Sequence, residues 1–173
     1  AEDHGDAPPE ISDRAFRFEY LDQIIRTHNS LRAFAFPASK IPPIMTRLQS
    51  VVNSAGDLPA PLIVMDTAPA AVLGATFDPK VAARPRRLIV NVGNFHTIAF
   101  RLGPGGIEGV FEHHTGLLDA EKLDQLLTAL AAGSLTNEDV FGHHGHGALI
   151  YEQEPLALDD KEFNLVLTGP RRN

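Results

Sequence analysis

Apolar and polar positions in the second half of the chain alternate in a way that predicts a sheet. Apolar runs separated by turn residues give three consecutive strand candidates, Leu88–Val92, His96–Leu102 and Ile107–His113. The glycine-rich turn at 103–106 predicts that the last two strands form a hairpin. A leucine stripe predicts a helix over Asp119–Ala132, and the closing run "FNLVLTGPRRN" predicts one further strand before a glycine turn.

The first half is predicted to be mainly helical. Ser12 is a good N-cap residue, and the apolar positions that follow it up to Ile25 predict a helix with a broad apolar face. A short helix is predicted at about 43–54, between proline-rich connections. The run "PLIVMD" at 61–66 predicts a buried strand, and Thr67 is expected to cap a helix of small residues.

Composition narrows the classes of function. The 173 residues are 43% hydrophobic and 21% charged, which is typical of a soluble globular protein. The net charge of −7 argues against a nucleic-acid partner, because such partners need a basic surface. The most apolar stretch, 58–75, is broken by prolines and an aspartate and predicts no membrane span. The chain has no cysteine, which excludes an iron–sulfur cluster in this segment and fits a cytoplasmic protein.

The run "LIVNVGNFHTIAFRL" places unusual residues in the bend between two predicted strands. Gly93 has no Cβ to keep a ligand away from the backbone, and successive N–H groups in a turn form an anion-binding concavity. We therefore predict that Gly93 and Asn94 contact a phosphate. The alternative is an ordinary hairpin in which Asn94 adopts the left-handed conformation.

Histidines form two further candidate sites. In "EHHTG", His113 and His114 must point to opposite faces of the sheet. Either imidazole could bind a metal or act as a general base near the phosphate hairpin, and the alternative is a structural pair that hydrogen-bonds the backbone. The run "GHHGHGA" offers three imidazoles at short spacing for a metal, against the alternative of a mobile glycine-rich loop.

The run "DHGDAPP" near the start groups Asp3, His4 and Asp6. This grouping suits acid–base chemistry or a divalent ion, and the alternative is a frayed, solvated terminus. We take Asp3, His4 and His146 as the candidate metal ligands.

Three segments, in this order, resemble the actin-like ATPases. "VMDTAPAAVLGATFD" is similar to the connecting helix of that superfamily, the hairpin at 88–102 to its second phosphate-binding hairpin, and "LVLTGPRR" to its adenosine-binding glycine turn. The resemblance implies an α/β fold, a ribonuclease-H-like lobe of three antiparallel strands, a helix and a further strand, with ATP and Mg²⁺ as ligands. It implies nucleotide or phosphate contacts from Gly93, Asn94, His96, Thr97, Gly169 and Pro170.

Asn91 stands where the superfamily usually has an aspartate that acts on the metal-bound phosphate or water. An amide can position a water or a phosphate oxygen, but it cannot serve as a carboxylate base or a hard-metal ligand. The resemblance thus gives Asn91 a catalytic position, beside His113 and His114, and favours nucleotide binding over hydrolysis. We expect a helical and loop segment, residues 1–57, packed on the lobe at 58–173, with the N-terminal lobe of the same protein outside this chain.

A closer resemblance covers nearly the entire chain. Segments such as "IPPIMTRLQSV", "GVFEHHTGLL" and "GHGA" are similar to the C-terminal half of an uncharacterised prokaryotic family labelled "putative pyruvate formate-lyase activating enzyme". Within "GHGA", His146 is the residue that matches that family. The label implies a radical enzyme with three cysteines around an iron–sulfur cluster, and this segment has no cysteine.

Three functions remain open from the sequence. The first is a nucleotide- or phosphoryl-binding lobe of an ATPase or small-molecule kinase, whose partner is a nucleotide or a phosphorylated small molecule. The second is a metal-dependent enzyme in which His4, His113, His114 and His146 converge on one point. The third is a non-catalytic nucleotide sensor or scaffold that retained the fold.

Overall fold

A computed structural model describes residue 7 and residues 9–56, 58–158 and 164–172. The predicted motif at Asp3 and His4 lies outside these residues. The helices are Asp13–His28 (α1), Thr46–Ala55 (α2), Thr67–Ala75 (α3), Pro79–Ala82 (α4), Ala120–Ala132 (α5) and Asn137–Phe141 (α6). The strands are Ala35–Pro37 (β1), Ile63–Met65 (β2), Arg87–Val92 (β3), His96–Gly103 (β4), Gly106–His114 (β5), Gly147–Ile150 (β6) and Leu165–Thr168 (β7).

The architecture is mixed α/β, which confirms the predicted class. A five-stranded sheet has the strand order β6-β5-β4-β3-β7, and β1 and β2 form a separate antiparallel pair. Neighbours from β3 to β6 pair antiparallel, whereas β7 runs parallel to β3. Strands β3, β4 and β5 match the predicted strands to within one residue at each end. The predicted strand at 61–66 contains β2, but the sequence does not predict β1 or β6, because these short runs end at proline or begin at glycine.

The two faces of the large sheet bury different apolar sets. Side chains alternate along a strand, so Ile98 and Phe100 of β4 point to one face and Ala99 to the other. The first face packs on α1 and α3, and we call it the α1 face. The second packs on α5 and α6, and we call it the α5 face. Helices therefore pack on both faces of the sheet.

The helix boundaries follow from local capping. The Ser12 side chain accepts a hydrogen bond from the N–H of Ala15, which starts α1 as predicted, and Asn29 ends it in the left-handed conformation. Asp66, rather than the predicted Thr67, occupies the N-cap of α3. The longest helix described, α1, has 16 residues, and no helix within the described ranges has both the length and the apolar surface to cross a bilayer.

Candidate metal centre

Three histidines from neighbouring strands meet on the α1 face at one end of the sheet. His96 begins β4, His114 ends β5, and the antiparallel register pairs these two residues directly. His146 immediately precedes β6, where its N–H donates to the carbonyl of Glu112 at 2.9 Å. One ring nitrogen from each histidine lies within 4.8 Å of those from the other two.

The spacing of the three rings is close to that of a metal site. Their centroids are 4.6 to 5.2 Å apart, so the imidazoles surround one small space. Two nitrogens bound to one tetrahedral zinc ion at the usual bond length lie about 3.3 Å apart. Side-chain rotations that move the nitrogens together by about 1.5 Å or less would therefore complete a three-histidine site.

His146 is the most enclosed of the three and the most informative. Only 4% of the residue is exposed, and neither buried ring nitrogen has a hydrogen-bond partner among the described residues. Burial lowers the pKa of His146 to about 3, against the opposing effect of nearby Glu112. The imidazole is therefore neutral at pH 7, which is the form that binds metals. A metal ligand role would also give this buried polar ring the partner that it lacks.

Two glycines hold His146 in this position by close packing. A Cβ at Gly145 would lie 2.5 Å from a methyl carbon of Val140, and one at Gly147 would lie 2.9 Å from the ring of Phe18. Gly147 also has a φ of 149°, in the range where a side chain is strained. The glycine-rich run is therefore wedged between α6 and α1, and its last residues are buried.

A buried carboxylate lies behind the histidines. Glu112 is fully buried, and its Oε2 accepts a hydrogen bond of 2.5 Å from Nε of Arg17, which also lies 3.7 Å from Asp66. Burial alone would raise the pKa of Glu112, but the Arg17 guanidinium, together with nearby His146 and His96, holds the pKa below its usual value. The other oxygen, Oε1, faces Nδ1 of His96 at 3.8 Å, which is within ion-pair distance but longer than a hydrogen bond.

A cavity of about 810 Å³ opens directly from the histidines. His114 and His146 line its wall together with Arg17, and its floor is the α1 face of β4 at Ile98 and Phe100. Helices α1 and α2 and the β1–β2 pair supply the remaining walls. A metal ion held by the three histidines would therefore have an open coordination position facing an accessible space.

The other histidines of the two predicted clusters do not join this group. His113 points to the α5 face, where its two ring nitrogens lie 3.2 and 3.1 Å from the backbone carbonyls of His114 and His143. Burial lowers the pKa of His113, against the effect of these carbonyls. His143 and His144 are exposed, so His146 is the one member of its run whose side chain reaches the centre.

In the predicted phosphate hairpin, the N–H of Gly93 is hydrogen-bonded within the bend. The N–H of Gly93 donates to the carbonyl of His96 at 2.9 Å, and a Cβ at Gly93 would lie 2.6 Å from that oxygen. Glycine is therefore required for the bend itself. Asn91 is 9% exposed, Asn94 is exposed, and the hydroxyl of Thr97 pairs with another hydroxyl instead of facing solvent. Phosphate binding by this hairpin stays a prediction.

The predicted adenosine turn lies beside that hairpin. Asn91 of β3 is in register with Thr168 of β7, so the C-terminal ends of the two parallel strands are adjacent. Gly169 has a φ of 98°, and a Cβ there would lie 2.4 Å from the carbonyl of Val92. Pro170 is exposed at the same end. The structure thus brings together two motifs that are far apart in the chain.

Sequence reasoning named all three histidines of the centre but gave them different roles. His96 was assigned to nucleotide, His114 to general-base chemistry and His146 to metal. Glu112 is named only as a neighbour of the histidine pair in the sequence, and Arg17 was missed. The spacing of Glu112 and His114 could have indicated that the carboxylate lies near the histidine, because residues two apart on a strand share a face.

The chain matches a family model described as "Putative pyruvate format-lyase activating enzyme (DUF1786)" over residues 1–173. No curated protein and no solved structure matches the chain. An iron–sulfur cluster does not fit the residues present, because such clusters are held by cysteine thiolates and the chain has none. The donors that converge in this structure are imidazoles.

Proposed function

We propose, from the premise that the chain belongs to the family described as "Putative pyruvate format-lyase activating enzyme", that it is a metal-dependent enzyme. Its centre is a divalent transition-metal ion held by His96, His114 and His146. The observation that carries the proposal is the convergence of three imidazoles beside a large cavity. Imidazole suits zinc, iron, copper and nickel, and three protein ligands with an open position are typical of catalytic sites.

The residues around the ion have distinct roles in this proposal. The ion acts as a Lewis acid on a substrate oxygen or on a water molecule. Glu112 orients His96, and Arg17 keeps Glu112 ionised by its short hydrogen bond. This donor set supports hydrolytic or hydration chemistry and gives no support to the radical chemistry in the family label, which needs cysteine ligands.

Metal titration tests the proposal directly. We expect the chain to bind one Zn²⁺ or Co²⁺, measured by elemental analysis and by the visible spectrum of the cobalt form. His146→Ala should weaken binding by at least about 100-fold, since one of three ligands is lost. His143→Ala is the matched control, because this exposed histidine lies three residues away and should leave the affinity unchanged.

The same titration extends to the N-terminal motif. The prediction that Asp3 and His4 bind the metal is tested by His4→Ala, which should weaken binding as His146→Ala does if His4 is a ligand. Unchanged metal affinity in His146→Ala, or absence of stoichiometric metal in the unaltered chain, would contradict the three-histidine centre.

The adjacency of β3 and β7 favours a second candidate function. The parallel β7 after a three-stranded meander and a helix supports the proposal of a ribonuclease-H-like lobe of the actin-like ATPases, with ATP and Mg²⁺ bound near Asn91 and Gly169. A non-catalytic nucleotide sensor would bind in the same place without turnover. Gly93→Val is a poor test, because its side chain would displace the carbonyl of His96, a proposed metal ligand.

Calorimetry with Mg·ATP tests this second candidate. We expect saturable binding by the unaltered chain and equal binding by His146→Ala, because His146 is not among the residues predicted to contact the nucleotide. No heat of binding up to millimolar Mg·ATP would remove the candidate, whatever the metal content of the chain.

A further inference from the structure

The floor of the cavity, Ile98 and Phe100, follows strand β4 away from the histidine centre. His96, Ile98 and Phe100 are successive residues on the α1 face of β4. At the rise of a β-strand, about 13 Å separates the first from the last. The histidine centre therefore lies at one end of an extended floor, and an aromatic ring lies at the other.

The walls around the far end are also apolar. The ring of Phe34 packs edge-on against Phe100, with centroids 6.3 Å apart. The lining of the cavity also includes apolar side chains of β1, β2, α2 and the segment before α2: Phe36, Ile44, Met45, Leu48, Val51 and Met65. The volume of about 810 Å³ lies in the range of cavities that enclose organic ligands.

The charges at the histidine end select the head group of a ligand. Two carboxylates, Glu112 and Asp66, flank the guanidinium of Arg17, and the guanidinium of Arg14 lies nearby on the carbonyl of Gly145. A divalent ion held by the three histidines would add two positive charges at this end of the cavity. An anionic oxygen head then meets an attractive field and an open coordination position.

We propose that the substrate class of this site is an elongated amphipathic organic anion. Its carboxylate-like oxygen head binds the metal at the three histidines, and its aromatic or aliphatic body lies along Ile98 and Phe100. This inference rests on the proposed metal centre and adds the chemistry of the substrate. It predicts that head and body both contribute to affinity.

Hydroxamates test the inference because they bind metals through two oxygens. Acetohydroxamate and benzohydroxamate share this head and differ in the apolar body, and benzyl alcohol has the ring without the head. The cobalt form of the full chain is titrated with each and followed by its visible spectrum and by calorimetry. We expect benzohydroxamate to bind at least about tenfold more tightly than acetohydroxamate, from the burial of its ring.

Two α2 variants locate the body of the ligand. Val51 lines the cavity and is 54% exposed, so Val51→Asp should fold normally while placing a charge beside the ligand. Leu48→Asp places the charge on the same side of the helix, one turn earlier. Both should remove the tenfold preference and leave the affinity for acetohydroxamate unchanged. Phe77→Asp, an exposed position outside the cavity lining, is the matched control and should keep the preference.

The outcomes separate this inference from the metal proposal. Stoichiometric cobalt with equal affinities for the two hydroxamates would overturn the substrate class while the metal centre stands. Benzyl alcohol binding as tightly as benzohydroxamate would overturn the metal-bound head. Failure to bind cobalt would overturn the metal centre, and the inference with it.

Discussion

At the scale of single residues, the position of His146 depends on the glycines beside it. Gly145 and Gly147 are in van der Waals contact with α6 and α1, and neither has room for a methyl group. The backbone on both sides of His146 can therefore pack this closely only because its neighbours are glycines, and this packing fixes the position of the imidazole. A glycine flanking a histidine here serves packing, and flexibility is not its role.

Gly147→Ala should destabilise the protein by at least about 2 kcal/mol. The residue has a φ of 149°, and the added Cβ would lie 2.7 Å from Oδ1 of Asn137 and 2.9 Å from the ring of Phe18. Urea unfolding measures the change in the free energy of unfolding. The substitution should also weaken metal binding, because it moves the neighbouring ligand.

Gly74→Ala is the control for that substitution. Gly74 lies in α3, and nothing lies within 4 Å of the position of its Cβ. Alanine should stabilise the protein by about 0.5–1 kcal/mol through helix propensity and reduced freedom of the unfolded chain. Equal effects of the two alanines would show that the packing around Gly147 is unimportant.

At the scale of elements, helix α1 holds two parts of the histidine centre together. Its Arg17 reaches Glu112 on β5, and its Arg14 donates to the carbonyl of Gly145 at 2.7 Å while lying 4.5 Å from the ring centroid of Phe141. One helix thus holds the strand that carries His114 and the turn that carries His146. The same helix forms a wall of the cavity, so a displacement of α1 would disturb the histidine centre and widen the cavity.

Arg17→Met should cost about 3–5 kcal/mol in the free energy of unfolding, measured in EDTA by urea titration. The substitution leaves Glu112 as an uncompensated charge whose side chain is only 1% exposed. Arg26→Met is the matched control on the same helix, because the 67% exposed Arg26 side chain pairs with Asp22 in solvent. That variant should lose much less stability, because an exposed ion pair contributes little. Similar losses of stability in both variants would show that the Arg17–Glu112 contact does not stabilise the packing of α1 on β5.

At the scale of the whole molecule, periodicity predicted the elements with strong patterns. Strands β3 to β5 and helix α5 have long apolar runs bounded by glycine or a capping aspartate, so their limits are local properties of the sequence. β6 was missed because its first residue, Gly147, and the glycines before it read as a loop. β2 was predicted, but its pairing with β1 was missed because the three residues of β1 have no periodicity to detect.

The centre itself could be predicted only in part, because it depends on register and not on spacing. That His113 and His114 face opposite ways follows from strand geometry, but which face carries the site depends on where α1 packs. The pairing of His96 with His114 follows from the register of a hairpin whose bend was interpreted as a phosphate site. His146 joins them only because β6 pairs with β5, a contact that the sequence does not reveal.

The stability of the molecule should fall at high pH through Tyr151. Its hydroxyl donates to Asp22 at 2.7 Å, and burial together with this carboxylate raises the pKa of Tyr151 well above its ordinary value of about 10. Above pH 10 the unfolded chain loses a proton that the folded chain keeps, so the free energy of unfolding falls as pH rises. One such group contributes up to about 1.4 kcal/mol per pH unit.

Tyr151→Phe removes this contribution. Urea unfolding between pH 8 and pH 11 should show a shallower alkaline loss in the variant, so the stability difference from the unaltered chain shrinks as pH rises. Parallel curves for the two proteins over that interval would exclude the contribution.

The parallel pairing of β7 with β3 also has a consequence for the order in which the strands pair during folding. β3, β4 and β5 are joined by tight turns, so their hydrogen bonds close short loops, whereas β7 must return across α5, α6 and β6 to reach the outer edge of β3. Closing so long a loop costs more chain entropy and slows the step. We expect β7 to dock last during folding and to open first in the native state. Amide protons of Leu165–Thr168 should then exchange with solvent before those of β4, and the shared edge of the two predicted nucleotide motifs would be the most transient part of the sheet.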